Sequence, residues 1–170
     1  MAEAPPLLIS LGMDEASFSR LDGLRRALFP PERNFIPAHV SLFHHLPAGE
    51  RASVERVLAD EAARPAFPLA FPVLLSLGHA LAAQVESREL LATHARLSRA
   101  FHPWLTRQDR QRFRPHVTVM NKVPVDVFRS ALELHGPAWQ PWVGTAASLI
   151  LWEYLGGPWR ELRTFPFQVP

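Results

Sequence analysis

The sequence predicts an α+β fold built on antiparallel sheet, and three observations carry that reading. Short apolar or alternating runs of strand length recur along the chain, most of them joined by hairpin-type turns. Segments with helical periodicity are interspersed among them. The order of elements in the first half, a histidine-bearing strand followed by a helix and a hairpin, returns in the second half, which suggests an ancient duplication.

Leu7 to Leu11 is an apolar run of strand length ended by Gly12, and Asp14 supplies the N-cap of a helix through about Phe29. Pro30-Pro31 stops that helix. Ala38 to Leu46 reads as a strand with Val40, Leu42 and His44 on one face and His39, Ser41, Phe43 and His45 on the other. A second helix is expected over Glu50 to Ala63, where Val54, Val57, Leu58 and Glu61 recur at helical spacing before Pro65 and Pro68. Leu69 to Leu77 and Leu81 to Val85 read as an antiparallel pair turning at Gly78-His79, leading into a helix from about Ser87 to Leu105. His116 to Val123 is then a strand, and Val125 to Leu134 a helix closed by Gly136-Pro137. Ala147 to Tyr154 and Glu161 to Val169 form a terminal hairpin around Gly156-Gly157-Pro158.

At 170 residues with 48% hydrophobic and 20% charged residues, the chain can bury a core without disulfides or a structural metal, and residues 1–170 read as one domain. No apolar run approaches the roughly 20 residues of a membrane span. The acid at Glu3 stands where a secretory signal would carry basic residues, so a cytoplasmic protein with no membrane association is expected; a monomer is expected as well. The absence of cysteine excludes thiolate nucleophiles, zinc fingers and iron–sulfur clusters. The pI of about 9.9 accompanies a net charge of only +2. With one Lys, one Tyr and no Cys, little loses a proton between the histidines and the arginines, so a small excess of cations carries the pI far upward. One local excess stands out: Arg107, Arg110, Arg112 and Arg114, opposed only by Asp109.

The chemistry is carried by Pro37-Ala38-His39-Val40-Ser41-Leu42 and Arg114-Pro115-His116-Val117-Thr118-Val119. In each, a histidine is followed two residues later by a hydroxyl. On a strand these two side chains share a face, while Val40, Leu42, Val117 and Val119 point into the core. An imidazole moves protons near neutral pH, and an adjacent hydroxyl donates a hydrogen bond to an anionic oxygen, so two facing pairs would grip one phosphate from both sides. A single strand histidine has an ordinary structural explanation. The matched context of the two copies is what points to a site.

These motifs, with the opening strand and helix and the terminal Leu151-Trp152-Glu153, Gly156-Gly157-Pro158-Trp159 and Phe165-Pro166-Phe167, resemble the two-histidine (2H) phosphoesterase superfamily. The similarity is strongest to its bacterial 2′-5′ RNA ligase and RNA 2′,3′-cyclic phosphodiesterase branch and covers nearly the whole chain. The resemblance implies two pseudo-symmetric lobes of antiparallel sheet flanked by helices, with a central cleft carrying both motifs. It further implies His39 and His116 as catalytic residues and Ser41 and Thr118 as phosphate-binding residues. Ser41 stands where Thr is commoner, which keeps the hydroxyl.

The expected reaction is opening of a cyclic phosphodiester, with RNA ends or cyclic nucleotides as substrate and neither metal nor cofactor. One histidine takes a proton from water and the other gives one to the departing ribose oxygen. With a 5′-hydroxyl in place of water, the same machinery would ligate. Arg114 and Lys122 share parity with His116 and are candidates to hold phosphate, and Phe43 and Trp159 are candidates to stack on a base. Two other readings stand beside this one: a metal site from His39, His45 and His116, and a noncatalytic RNA or nucleotide binder using the arginine cluster. His79, His94, His102 and His135 have no chemical neighbour in the sequence and read as structural.

Overall fold

Leu7 through Leu11 are all buried, as a strand flanked on both sides requires, and this segment forms β1 (Leu7–Met13) at the interior of the larger of two sheets. The computed structural model describes residues 3–169; Met1, Ala2 and Pro170 lie outside the described residues. The remaining strands are β2 (Val40–Leu46), β3 (Phe67–Phe71), β4 (Leu74–Leu77), β5 (Ala80–Gln84), β6 (His116–Met120), β7 (Trp142–Tyr154) and β8 (Trp159–Pro166). The helices are α1 (Glu15–Leu28), α2 (Arg51–Ala62), α3 (Arg88–Phe101) and α4 (Val125–His135). The larger sheet runs β2-β1-β7-β3, with β8 also paired to β7, and the smaller runs β4-β5-β6. Every strand pair is antiparallel.

The expected α+β class with helix-flanked antiparallel sheets is observed, and the exceptions have physical causes. The strand expected over Leu69 to Leu77 is two strands in different sheets. Pro72 cannot donate to a ladder, so β3 pairs with β7 in the larger sheet while β4 pairs with β5 in the smaller. The sheets are accordingly unequal and interleaved in sequence: β7 and β8 return from the C-terminal half to complete the sheet begun by β1 and β2. Helices cross over too, since α1 packs chiefly on β6 and α4 on β4 and β5, while α2 and α3 cover the larger sheet. Asp14 caps α1 as expected, accepting from Ser17 N–H at 3.1 Å, and its other oxygen takes the Thr145 N–H at 2.7 Å. Gly78, at φ +61°, makes the β4–β5 turn in a conformation that side-chain-bearing residues rarely adopt.

A single cluster of buried apolar side chains runs through both sheets, from Ile9 and Leu149 in the larger to Leu81 and Val117 in the smaller. The two motif strands, β2 and β6, are each paired on one side only, and these two open edges face each other.

Candidate active site

His39, immediately before β2, and Ser41 within it meet His116 and Thr118 of β6 around one cleft of about 390 Å³. The sheets bring together across an interlobe gap the two tripeptides that the sequence pairs only by analogy. Val40, Val117 and Val119 are fully buried, anchoring the opposite faces in the core as the alternation predicts.

The two imidazoles are held alike. His39 Nδ1 lies 2.8 Å from the Pro37 carbonyl and His116 Nδ1 lies 2.6 Å from the Arg114 carbonyl, each two residues back. A carbonyl oxygen only accepts, so Nδ1 carries the hydrogen in both rings and Nε2 is the basic nitrogen of each neutral imidazole. The backbone thus selects one tautomer twice.

The His39 ring is half-buried by surface but enclosed by protein on most sides, with Trp159 4.8 Å away between ring centroids. That burial pushes its pKa down to about 4. The hydrogen bond to Pro37 opposes the shift, and the charges of Arg25, His44 and His116 add to it. Arg25 is a buried guanidinium on the α1 face formed with Ser17 and Leu21. It donates to the Thr118 carbonyl at 2.7 Å and to Asn34 Oδ1 at 2.8 Å, and lies over the Phe29 ring. Burial lowers its pKa, with Asp22 opposing. A positive charge held behind the cleft in this way favours an anion within it.

β2 does not keep its alternation. Ser10 faces Ser41 but Ile9 faces Phe43, so Leu42 is an extra residue, and a second irregularity follows before Leu46. The bulges turn Phe43 inward and His44 toward the cleft, reversing the expected parity. The Leu42 carbonyl accepts from His94 Nε2 at 3.2 Å. His94 is stacked between Phe43, 4.8 Å away, and Phe113, 3.8 Å away, and burial pushes its pKa down. It therefore lines the cleft as a neutral positioning group, a role that no neighbour in its own helix indicates.

Asp109 closes the open edge of β2. Its carboxylate accepts from the backbone N–H of His44 at 2.9 Å and of His45 at 3.1 Å, and from His44 Nδ1 at 2.8 Å. An exposed strand edge is thereby satisfied by a side chain. The same bonds dock the arginine-bearing segment 106–114 onto the motif strand. Asp109→Ala is expected to lower stability by about 2 kcal/mol, because two amides lose a charged acceptor, and to reduce turnover with it. Asp109→Asn should recover part of both. Thermal unfolding and kcat on the same variants decide it; an Asp109→Ala protein as stable as the parent would show that water replaces the carboxylate without cost.

A sequence-family model described as the 2′-5′ RNA ligase superfamily matches residues 13–158. The chain belongs to the 2′-5′ RNA ligase superfamily. The resemblance read from the two motifs and the terminal hairpin is thus borne out at the level of the family. A comparison with curated proteins finds no match. Solved structures share the fold: TT0787 of Thermus thermophilus at 16% identity, covering 95% of this chain and 97% of that one with a TM-score of 0.66. E. coli LigT complexed with 3′-AMP is 15% identical, covering 98% and 99% with a TM-score of 0.63. E. coli LigT complexed with ATP is 17% identical, with the same coverage and a TM-score of 0.59.

In this member of the 2′-5′ RNA ligase superfamily the supporting residues fall unevenly. Arg114 lines the cleft, with Arg112 and Gln111 beside it. Trp159 is outside the cleft lining and reaches the site only through His39, 4.8 Å away between ring centroids, with Trp152 5.9 Å from it. Phe43 is fully buried and is not available to a base. Lys122 is also displaced: β6 ends at Met120, Lys122 adopts φ 58°, and the parity that would have aimed it with His116 stops before it. His45 is exposed outside the cleft lining, so it does not join His39 and His116, and among the described residues no group of three or more His, Asp or Glu is arranged to hold a metal ion. No helix among the described residues is long and apolar enough to cross a membrane.

Proposed function

We propose that the protein opens 2′,3′-cyclic phosphates at RNA ends or on nucleotides by general acid–base catalysis between His39 and His116, without a metal. The observation that carries this reading is the pair of Nδ1-anchored imidazoles with Nε2 free on either side of one cleft, each with a hydroxyl two residues on. In hydrolysis, neutral His39 takes the proton from the attacking water. As the phosphorus–oxygen bond to one ribose oxygen breaks, protonated His116 delivers a proton to that oxygen. Ser41 and Thr118 donate to the nonbridging oxygens, where charge builds. With a 5′-hydroxyl in place of water and the histidines in the same roles, attack on the cyclic phosphate with departure of the 3′-oxygen gives 2′-5′ ligation; the histidines exchange roles only in the reverse, cleavage of that linkage to the cyclic phosphate.

The test is turnover, in EDTA, of a short RNA ending in a 2′,3′-cyclic phosphate and of free cyclic mononucleotides, resolving the 2′- from the 3′-phosphate product. The product isomer reports which ribose oxygen faces His116. Absence of turnover on all of these by a folded protein overturns the proposal in favour of a binding module. The pH dependence is a second check. Protonating the base inactivates, so kcat/KM should persist below pH 6 and fall only as pH approaches the free-protein value for His39, about 4. A bound anion favours the imidazolium, so the acid limb of kcat should lie at higher pH than that of kcat/KM. An acid limb of kcat/KM at about 6.5, the unperturbed histidine value, would remove His39 from the role of base.

A further inference from the structure

His44 is a third imidazole on the cleft, and the proton transfers assigned to His39 and His116 make no use of it. Its placement follows from the bulge in β2. Same-face side chains on a regular strand are two residues apart, and the inserted Leu42 moves the step after Ser41 from Phe43 to His44. His39, Ser41 and His44 therefore stand in line along the cleft side of this segment, with Ser41 between the two histidines. The second motif strand has no counterpart: β6 ends at Met120, which is buried.

The ring is held from behind. Its Nδ1 lies 2.8 Å from Asp109 Oδ1, and the side chain of Asp109 is 1% exposed while that of His44 is 41% exposed. The carboxylate accepts, so Nδ1 carries the hydrogen and Nε2 is the basic nitrogen of the neutral ring. The backbone N–H groups of His44 and His45 already close the edge of β2 onto Asp109, and the bond to the ring adds nothing to that closure. A phosphate oxygen at Nε2 accepts only from a ring that carries both hydrogens. Such an imidazolium is bonded to an anion at each end, Asp109 at Nδ1 and the phosphate at Nε2.

We infer that His44 binds the phosphate in this way, donating from Nε2 to a nonbridging oxygen beside Ser41 and so fixing the cyclic phosphodiester between His39 and His116. The inference rests on the phosphate occupying the cleft as proposed above. His44 transfers no proton in the reaction; its bond strengthens as charge builds on the oxygen it holds.

Two substitutions separate binding of phosphate from holding of Asp109. The amide nitrogen of Asn stands near the place of Nδ1, so His44→Asn keeps the bond to Asp109 and offers nothing at Nε2. That of Gln stands near the place of Nε2, so His44→Gln offers a neutral donor to phosphate and gives up the bond to Asp109. The experiment measures the Kd for inorganic phosphate by calorimetric titration, kcat/KM for a 2′,3′-cyclic mononucleotide, and Tm, on the parent and both variants. Phosphate affinity and kcat/KM are expected to fall by about ten-fold or more in His44→Asn and by less in His44→Gln, although His44→Asn is the more stable of the two. A loss in His44→Gln as large as that in His44→Asn, or a His44→Asn protein within about two-fold of the parent, overturns the role of Nε2. If the parent turns over no cyclic phosphate, the titration alone separates the two claims. Phosphate binding that His44→Asn weakens about ten-fold sustains His44 while the proposed chemistry fails; binding indifferent to the substitution, or none in the parent, overturns His44 as well.

Discussion

His39→Ala and His116→Ala are each expected to lower turnover of a 2′,3′-cyclic phosphate by about 10²–10⁴-fold, the usual contribution of one positioned acid or base. The double variant should be little worse than either single one, because a proton relay that lacks its donor gains nothing from an intact acceptor. The geometry makes the comparison clean for His116, whose ring is fixed by a backbone carbonyl and, among the described residues, makes no ring–ring contact. His39 also packs against Trp159, so its variant needs a thermal-unfolding control. Arg25→Lys gives a useful contrast: the charge remains but the forked bonds to Thr118 and Asn34 do not. Full activity in either histidine variant would dismantle the two-histidine mechanism.

Phe43→Ala carries the largest expected loss of stability, about 3–5 kcal/mol, as for other fully buried aromatics. For a chain of this size that corresponds to a fall in Tm of roughly 6–20 °C. The ring stacks on His94 with an interplanar angle of 4° and meets Phe101 edge-on at 5.3 Å. Its removal leaves a cavity that neither rigid neighbour can fill. It also frees His94 from one side of its stack, loosening the bond to Leu42 that supports the bulge between Ser41 and Phe43. Activity should therefore decline together with stability. A variant that kept its Tm and lost only substrate affinity would return Phe43 to the role of a base-stacking platform.

The two histidines and Phe43 mark where local sequence pattern determines the site and where it stops doing so. His39 with Ser41, and His116 with Thr118, are legible because a two-residue step near the start of a strand fixes a shared face before any irregularity intervenes. Phe43 lies just past an inserted residue, and a bulge has no signature in alternation, so strict alternation puts Phe43 and His44 on the wrong faces. Pro72 is visible, but that it divides one apolar run between two sheets depends on β7, far along the chain. Asp109 and Arg25 act across 65 and 93 positions, distances at which local pattern says nothing. Each does leave a trace: Asp109 is the lone acid among four arginines, and Arg25 continues the helical face of Ser17 and Leu21.

The placement of β7 bears on how the protein comes into being during synthesis. β1, β3 and β8 all pair with it, yet it begins at Trp142, after every residue that lines the cleft has been translated. A nascent chain halted before Trp142 would contain both histidines and both hydroxyls but no central strand on which to mount them. Pairing Leu7 with Glu153 closes nearly the whole chain into one loop, and long-range closures of this kind form late and slowly. Activity should consequently emerge in a single step once β7 is free to pair, with no partially competent fragment preceding it.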